Sequence, residues 1–350
     1  MSNYGLSILP IYIVTLISLY IYRYVNKKIG SFIAYAVSFF AFMLAGFRPD
    51  YFPDVDTYKL MFEFASTGDF ENSSYWLSHG EPGFKIFSWV ISQIALDYRF
   101  YLLTIELLSF ILLIIASRQT RVKFVYVWFF YLSTFFVTRD LGSLRLSIAS
   151  HLIVIALSHR RVLDSIFILA FCSLSFQYYS FVAALSIFIS KYKFNCIRVF
   201  IIIIASLAFA PYLKLDLMSG FALEHQLNNY NLANTKSLGW QSIILPTVRN
   251  LLFAIIVVVL YKRIKIGKIQ KIWIISLYLS VVSYIIFKDF LIIAQRFSAY
   301  FGAILPFALA WICDKRNHSM FFKFHLITLF FIINFIILFY YNDFVWLPRF

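Results

Sequence analysis

Apolar runs fill most of this chain, and short polar clusters break them up. A membrane span needs about 20 largely apolar residues, with a range of about 17–25. On that measure the pattern predicts helices over 6–22, 31–47, 100–117, 122–138, 141–157, 162–176, 178–190, 197–213, 247–261, 272–287, 290–312 and 321–340. The pair 162–176 and 178–190 is short. It meets at Phe176-Gln177-Tyr178-Tyr179, and it reads either as two tight spans or as one re-entrant hairpin. The stretch 83–97 is too short for a span and reads as an outer-face helix at the interface. Tyr58, Met61, Phe62 and Ala65 fall at helical spacing, so an amphipathic helix is expected from Asp56. The segment 214–246, with Asn228, Asn229, Asn231 and Asn234, reads as a polar outer loop. There is no internal repeat and no matched pair of Gly/Pro-broken helices of the inverted-repeat transporter kind.

Composition sharpens this picture. The chain is 62% hydrophobic and 13% charged, whereas soluble domains average about 45–50% and about 25%. That excludes disorder, collagen, a disulfide scaffold and an ordinary soluble enzyme. The expected fold is all-α: a polytopic integral membrane protein of about 12 transmembrane helices, one domain over 1–350 with outer-face segments 48–99 and 214–246. Cys172, Cys196 and Cys313 lie in or beside apolar runs without CxxC spacing, so neither a disulfide nor a zinc site is indicated. The first apolar run lacks a basic leading region and an A-x-A site, and is expected to remain as a span.

The net charge of +15 raises the question of nucleic acid, and its distribution answers it. With the amino terminus placed outside, 19 of the 31 basic residues fall in short inner loops, accompanied only by Asp164 and Asp314. Among them are Arg118, Arg121, Arg160 and Arg161. The outer side keeps 12 basic and 13 acidic residues, and Glu106 sits within a span. The basic excess is therefore a topology signal facing anionic lipid and calls for no nucleic-acid partner. The inner loops leave no room for a soluble domain, and no P-loop or dinucleotide fingerprint is present. Chemistry is expected at the outer face, without ATP or a nucleotide sugar.

Four segments carry candidate chemistry. Arg48 leaves the second span and is followed by Asp50, Asp54 and Asp56. The plain roles are a helix cap for Asp56 and a lipid-phosphate contact for Arg48. Glu81 lies between Gly80 and Pro82-Gly83, a fixed turn before an apolar helix. It reads as a helix-start carboxylate or as a positioned acid or base. Arg139 and Asp140 stand at an outer helix mouth, where they can pair locally. Arg145 falls deeper, inside an apolar helix, where an arginine costs about 2.5–3.5 kcal/mol on insertion scales and mostly faces a cavity. Gln295-Arg296-Phe297, with Tyr300 one turn on, begins a long span at the same outer level. Arginines converging at one depth suit an anionic group, because guanidinium binds phosphate oxygens in pairs and stays charged. Gln177 and Tyr178 offer neutral donors. Outer aromatics such as Tyr51, Tyr75, Trp76, Trp240 and Trp346 suit sugar stacking or an interfacial belt equally. His79 is outside, whereas His159, His318 and His325 lie near inner ends.

This arrangement resembles the EpsG-like family of bacterial polysaccharide polymerases, the Wzy-type group. The likeness rests on Arg48 followed by Asp54, Asp56 and Tyr58, and on Glu81-Pro82-Gly83. Arg139 and Arg145 with Ala149, Arg296 with Tyr300, and an aromatic tail complete it. Gln177 stands where relatives more often carry His. The resemblance implies an inner-membrane, metal-independent and cofactor-free glycosyltransferase of GT-C-like architecture, with both termini periplasmic. Its substrates would be undecaprenyl-pyrophosphate-linked repeat units, polymerised at the periplasmic face. A chain-length regulator and a flippase are its implied partners, in O-antigen or capsule synthesis. Under that reading Asp54, Asp56 or Glu81 accepts a proton, and Arg48, Arg139, Arg145 and Arg296, with Gln177, Tyr58 and Tyr300, hold the pyrophosphate and substrate. The rival expectations are a flippase for the same lipid-linked sugar and an O-antigen ligase using the same donor.

Overall fold

The computed structural model describes residues 3–50, 52, 54–67, 81–94, 97–191, 267–287, 291–314 and 329. Every regular element among the described residues is helical. The helices are α1 (Asn3–Tyr24), α2 (Lys27–Gly46), α3 (Val55–Ser66), α4 (Pro82–Ser92), α5 (Tyr98–Thr120), α6 (Phe124–Arg139), α7 (Leu144–Leu157) and α8 (Val162–Ser175). A 3₁₀ turn over Tyr178–Ala183 leads into α9 (Ala184–Ile189). Then come α10 (Lys268–Ile286), α11 (Leu291–Gly302) and α12 (Leu305–Asp314). The spans expected at 197–213, 247–261 and 321–340, and the loop 214–246, lie outside the described residues.

Local chemistry sets the boundaries. Asn26 opens α2 by accepting from the backbone N–H groups of Lys28 and Ile29 at 2.8 and 3.2 Å. Asp97 opens α5 by accepting from Phe100 N–H at 2.7 Å. Both satisfy donors that a helix start leaves orphaned. Among the described residues four helical stretches are long and apolar enough to cross a membrane: Lys27–Gly46, Tyr98–Thr120, Lys268–Ile286 and Ile293–Asp314, the last of them α11 and α12 taken together. Large apolar side chains also point outward. On α8, Leu163, Phe167, Phe171 and Leu174 form one exposed stripe. In water such a stripe would be an unpaired sticky face; against lipid it is the ordinary solvent-facing surface.

The bundle interior is aromatic and packed around α6. α1 packs on α2, α2 on α5, α5 on α7, and α7 on α8, while α12 lies on α6 and α10 pairs with α11. Phe136 meets Phe42 and Trp128 edge on, with ring centroids 5.4 and 5.6 Å apart, and Phe42 and Trp128 are tilted against each other at 6.0 Å. Trp128 Nε1 donates to Thr15 Oγ1 at 3.0 Å, so its one polar atom is satisfied inside the core.

Four departures from the expected helices matter. α7 begins at Leu144 instead of residue 141, because Asp140–Ser143 form a turn first. Arg145 therefore sits in the first turn of α7, at the helix mouth, and is not buried deep in a span. The helix expected from Asp56 starts at Val55, with Asp54 at its N-cap position in a left-handed conformation (φ 63°) and making no side-chain cap bond. The expected span 290–312 breaks at Ala303-Ile304. Pro306 cannot donate to the carbonyl of Gly302, and its ring clashes there, so the helix restarts. Finally, Leu132–Phe136 inside α6 winds as a π segment. Ser133 and Thr134 each turn their hydroxyl back onto the carbonyl four residues earlier, at 2.8 and 2.7 Å. Tyr12 of α1 donates to the Leu132 carbonyl at 2.9 Å. These contacts supply partners for carbonyls in a loosened ladder.

The two ends of the bundle differ in chemistry. One end gathers the close of α2, the starts of α3, α4 and α7, and the turn after α8. The other gathers the C-terminal ends of α5, α7 and α12 with the start of α10.

Candidate active site

Three helix starts build the first end. Glu81 holds the N-cap position of α4 in extended backbone, and Pro82 follows at the first helical position, where a missing N–H is harmless. Gly83 is the point of closest approach to α8. A Cβ there would lie 2.5 Å from Ser175 Oγ and 2.6 Å from Ser175 Cα, so no larger residue fits. The Glu-Pro-Gly sequence thus presses the first turn of α4 against the end of α8 and fixes where the Glu81 carboxylate stands.

That carboxylate faces Arg145. Arg145 Nη1 donates to Glu81 Oε2 at 2.8 Å, and the Tyr178 N–H donates to Glu81 Oε1 at 3.4 Å. The Arg145 backbone N–H donates to Tyr58 Oη at 3.2 Å, which ties α3 to the start of α7. Tyr58 is buried. Burial pushes its phenol above the ordinary tyrosine range; Arg145 pulls it back and Asp54 raises it further. Tyr58 therefore keeps its proton at working pH. Lys85, one turn into α4, is also buried. Burial holds its ammonium below the ordinary lysine range, Glu81 opposes that shift, and Arg145 reinforces it.

In front of these groups lies a cavity of about 340 Å³ lined by Asp54, Thr57, Tyr58, Ser143, Arg145, Leu146, Gln177 and Arg296. Of the residues expected from sequence, Asp54, Tyr58, Arg145, Gln177 and Arg296 meet at this one cavity. Glu81 stands behind Arg145. Tyr300 is buried behind Gln177 and donates to its Oε1 at 2.9 Å, joining α11 to the turn after α8. Asp54 and Arg296 are exposed to the opening.

Besides Glu81 and Tyr300, three further expected residues do not line the cavity. Asp56 is exposed in the first turn of α3. Arg139 is buried, with its guanidinium carbon 3.5 Å from the Phe135 ring centroid and Nη2 donating to the Ala299 carbonyl at 3.1 Å. Arg48 is fully buried. Its Nη1 donates to Glu106 Oε1 at 2.8 Å and to the Asp140 carbonyl at 2.6 Å. The Asp140 carboxylate accepts from Ser109, Ser147 and Tyr131 at 2.9, 2.5 and 2.6 Å. Arg48, Glu106 and Asp140 thus bind α2, α5 and the α6–α7 turn together inside the bundle. Outside it, Arg99 bonds the Arg48 carbonyl and pairs with Asp50 at 2.7 Å.

Sequence reasoning missed Thr57, Ser143 and Leu146. Ser143 had a readable signal, since a serine just before an apolar helix is a cap candidate. Here it holds the N-cap position without a side-chain cap bond. Thr57 and Leu146 line the cavity beside Tyr58 and Arg145, their chain neighbours, and carry no motif of their own. Tyr51, Tyr75, Trp76, His79, Trp240 and Trp346 lie outside the described residues. Among the described residues no three His, Cys, Asp or Glu side chains cluster as metal ligands would.

No curated protein and no solved structure matches this chain. The sequence profile of the EpsG family does match, over residues 31–348, which takes in most of α2, every described helix after it and the whole cavity. An apolar helical bundle with this match along nearly its full length belongs to the EpsG family, a group of Wzy-type, polysaccharide polymerase-like membrane proteins.

Proposed function

We propose that this protein is an inner-membrane glycosyltransferase that extends a glycan held on undecaprenyl pyrophosphate. The growing chain passes from that carrier onto the non-reducing end of a new lipid-linked repeat unit, at the periplasmic face. The full chain would form about 12 spans in a GT-C-like arrangement with both termini periplasmic. The observation that carries this reading is one cavity lined by Arg145, Arg296 and the Asp54 carboxylate. Its volume lies within the range of small-ligand sites, about 300–1,000 Å³.

The chemistry follows from those groups. A hydroxyl of the acceptor sugar attacks the anomeric carbon of the donor. The bond from that carbon to the phosphate oxygen breaks, and the polyprenyl diphosphate leaves with the electron pair. Arg145 and Arg296 stabilise the charge that grows on the leaving oxygen, a contribution typically worth about 10²–10³ in rate per donor. Asp54 takes the proton from the attacking hydroxyl. It is the carboxylate that lines the cavity, and no cap bond engages its side chain. Glu81 is occupied by Arg145 and the Tyr178 N–H, so its part is to aim the guanidinium. Tyr58 Oη retains its proton and can donate it to a phosphate oxygen. Gln177, held by Tyr300, offers its amide N–H₂ to a sugar hydroxyl or phosphate.

The test is reconstitution. Purified protein with lipid-pyrophosphate-linked repeat units, and no nucleotide, should lengthen the glycan. A requirement for a nucleotide sugar would overturn the mechanism. Translocation of the lipid-linked unit across vesicles without chain growth would instead identify a flippase.

A further inference from the structure

The other end of the bundle holds a second, larger cavity that the glycan chemistry does not use. It measures about 690 Å³, and four arginines line it: Arg118 and Arg121 at the end of α5, and Arg160 and Arg161 between α7 and α8. Asp164 and Asp314 also face it. His159 sits there 3.5 Å from Asp164, a contact that counts as an ion pair only when the imidazole is protonated. Among the described residues none of the four arginines is in an ion pair.

Basic loops at one membrane face are expected from topology alone. Two features go beyond that. Ser158 lines the cavity wall, is 1% exposed, and its hydroxyl has no hydrogen-bond partner among the described residues. A buried hydroxyl left unpaired is unfavourable, so Ser158 leaves a hydrogen bond to be made beside the cavity wall. In addition, the cavity borders a groove of about 360 Å³, with which it shares His159, Arg160, Ile269 and Gln270. The walls of that groove include Val162, Ile187 and Ile272. A polar, cationic chamber beside an apolar slot matches a molecule that is anionic at one end and hydrocarbon at the other.

We propose that this end binds an anionic phospholipid, with the phosphate among Arg118, Arg121, Arg160 and Arg161 and an acyl chain in the slot between α8, α9 and α10. The shared chemistry is a phosphate ester; the slot selects the lipid over a free phosphate. The site is independent of the polymerase reading, since none of its residues borders the glycan cavity.

Native mass spectrometry of the purified full chain in detergent reads this directly, with phosphatidylglycerol, phosphatidylcholine and inorganic phosphate as probes. Phosphatidylglycerol should be retained and should raise the melting temperature, and the other two should not. The exposed pair Arg160→Ala/Arg161→Ala should weaken phosphatidylglycerol about 30-fold, the product of two phosphate-facing charges. The pair Lys27→Ala/Lys28→Ala removes equal charge from basic positions outside the cavity and should leave retention unchanged. Ile269→Trp, which narrows the slot and spares every arginine, should also reduce retention. Equal losses in the two charge-removal pairs would show diffuse attraction and overturn the site. Equal protection by inorganic phosphate, or full retention in Ile269→Trp, would overturn the lipid.

Discussion

Arg48 and Arg145 both belong to apolar helix neighbourhoods, and each pairs with a glutamate at 2.8 Å. The structure gives them opposite settings. Arg48 and Glu106 are both fully enclosed, and their contacts join three stretches of chain inside the bundle. Arg145 and Glu81 keep 17% and 7% of their side chains exposed, and Arg145 stands at the wall of a cavity. A sealed ion pair holds the bundle in register, because either charge alone would be stranded. An ion pair at a cavity wall can lend its guanidinium to a ligand. Burial and neighbours, not residue type, separate scaffold from site.

The comparison breaks most sharply at Glu106. Glu106→Ala leaves Arg48 enclosed without its carboxylate and should cost about 3–5 kcal/mol of stability, seen as loss of folded protein in detergent melting and in membrane yield. If Glu106→Ala folds normally and loses only activity, Arg48 belongs to the site after all. Arg145→Ala should behave in reverse. Chain extension should fall about 10²–10³-fold with protein yield close to the parent. Arg145→Lys should recover only part of the activity, because an ammonium cannot make the paired contact.

Next in size, Tyr300→Phe removes the bond that holds Gln177. It should lower chain extension by about 5- to 10-fold, the worth of one neutral hydrogen bond of about 1–1.5 kcal/mol. Ser109→Ala, by contrast, loosens the Asp140 cluster and should lower the melting temperature while leaving the extension rate per folded molecule intact. The smallest effect on stability concerns Asp54. Asp54→Gly relieves a left-handed backbone position and should raise stability by up to about 1 kcal/mol while chain extension is lost. Asp54→Asn keeps that backbone geometry and should lose extension without the gain, which separates carboxylate chemistry from strain.

Much of this was legible in the sequence. Among the described residues, apolar runs located the helices to within a few residues, because burial and lipid both ask for apolar side chains there. The residues gathered at the cavity were largely legible too, because ionisable groups stand out against an apolar background. What the sequence could not separate was which arginine faced a cavity. Arg145 read as deep because the span was started at Leu141, inside the Asp140–Ser143 turn, and Glu106 gave no hint that Arg48 would be its partner 58 positions away. The restart at Pro306 was readable from the proline alone. The left-handed Asp54 was not, since Asp carries no fixed backbone signature.

The loosened stretch Leu132–Phe136 has its own consequence for how such a chain tolerates length changes. A π turn accommodates one extra residue in an otherwise regular helix, and each residue advances the helix by about 100°. Deleting Thr134 would therefore let α6 close into an unbroken α-helix while Arg139 and Asp140 keep nearly their present direction around the axis. A second loss from the tightened helix would have no such slack and would turn Arg139 and Asp140 by about 100°, drawing the Asp140 carbonyl from Arg48 and its carboxylate from Tyr131. One residue of length is thus held in reserve next to the buried charge cluster.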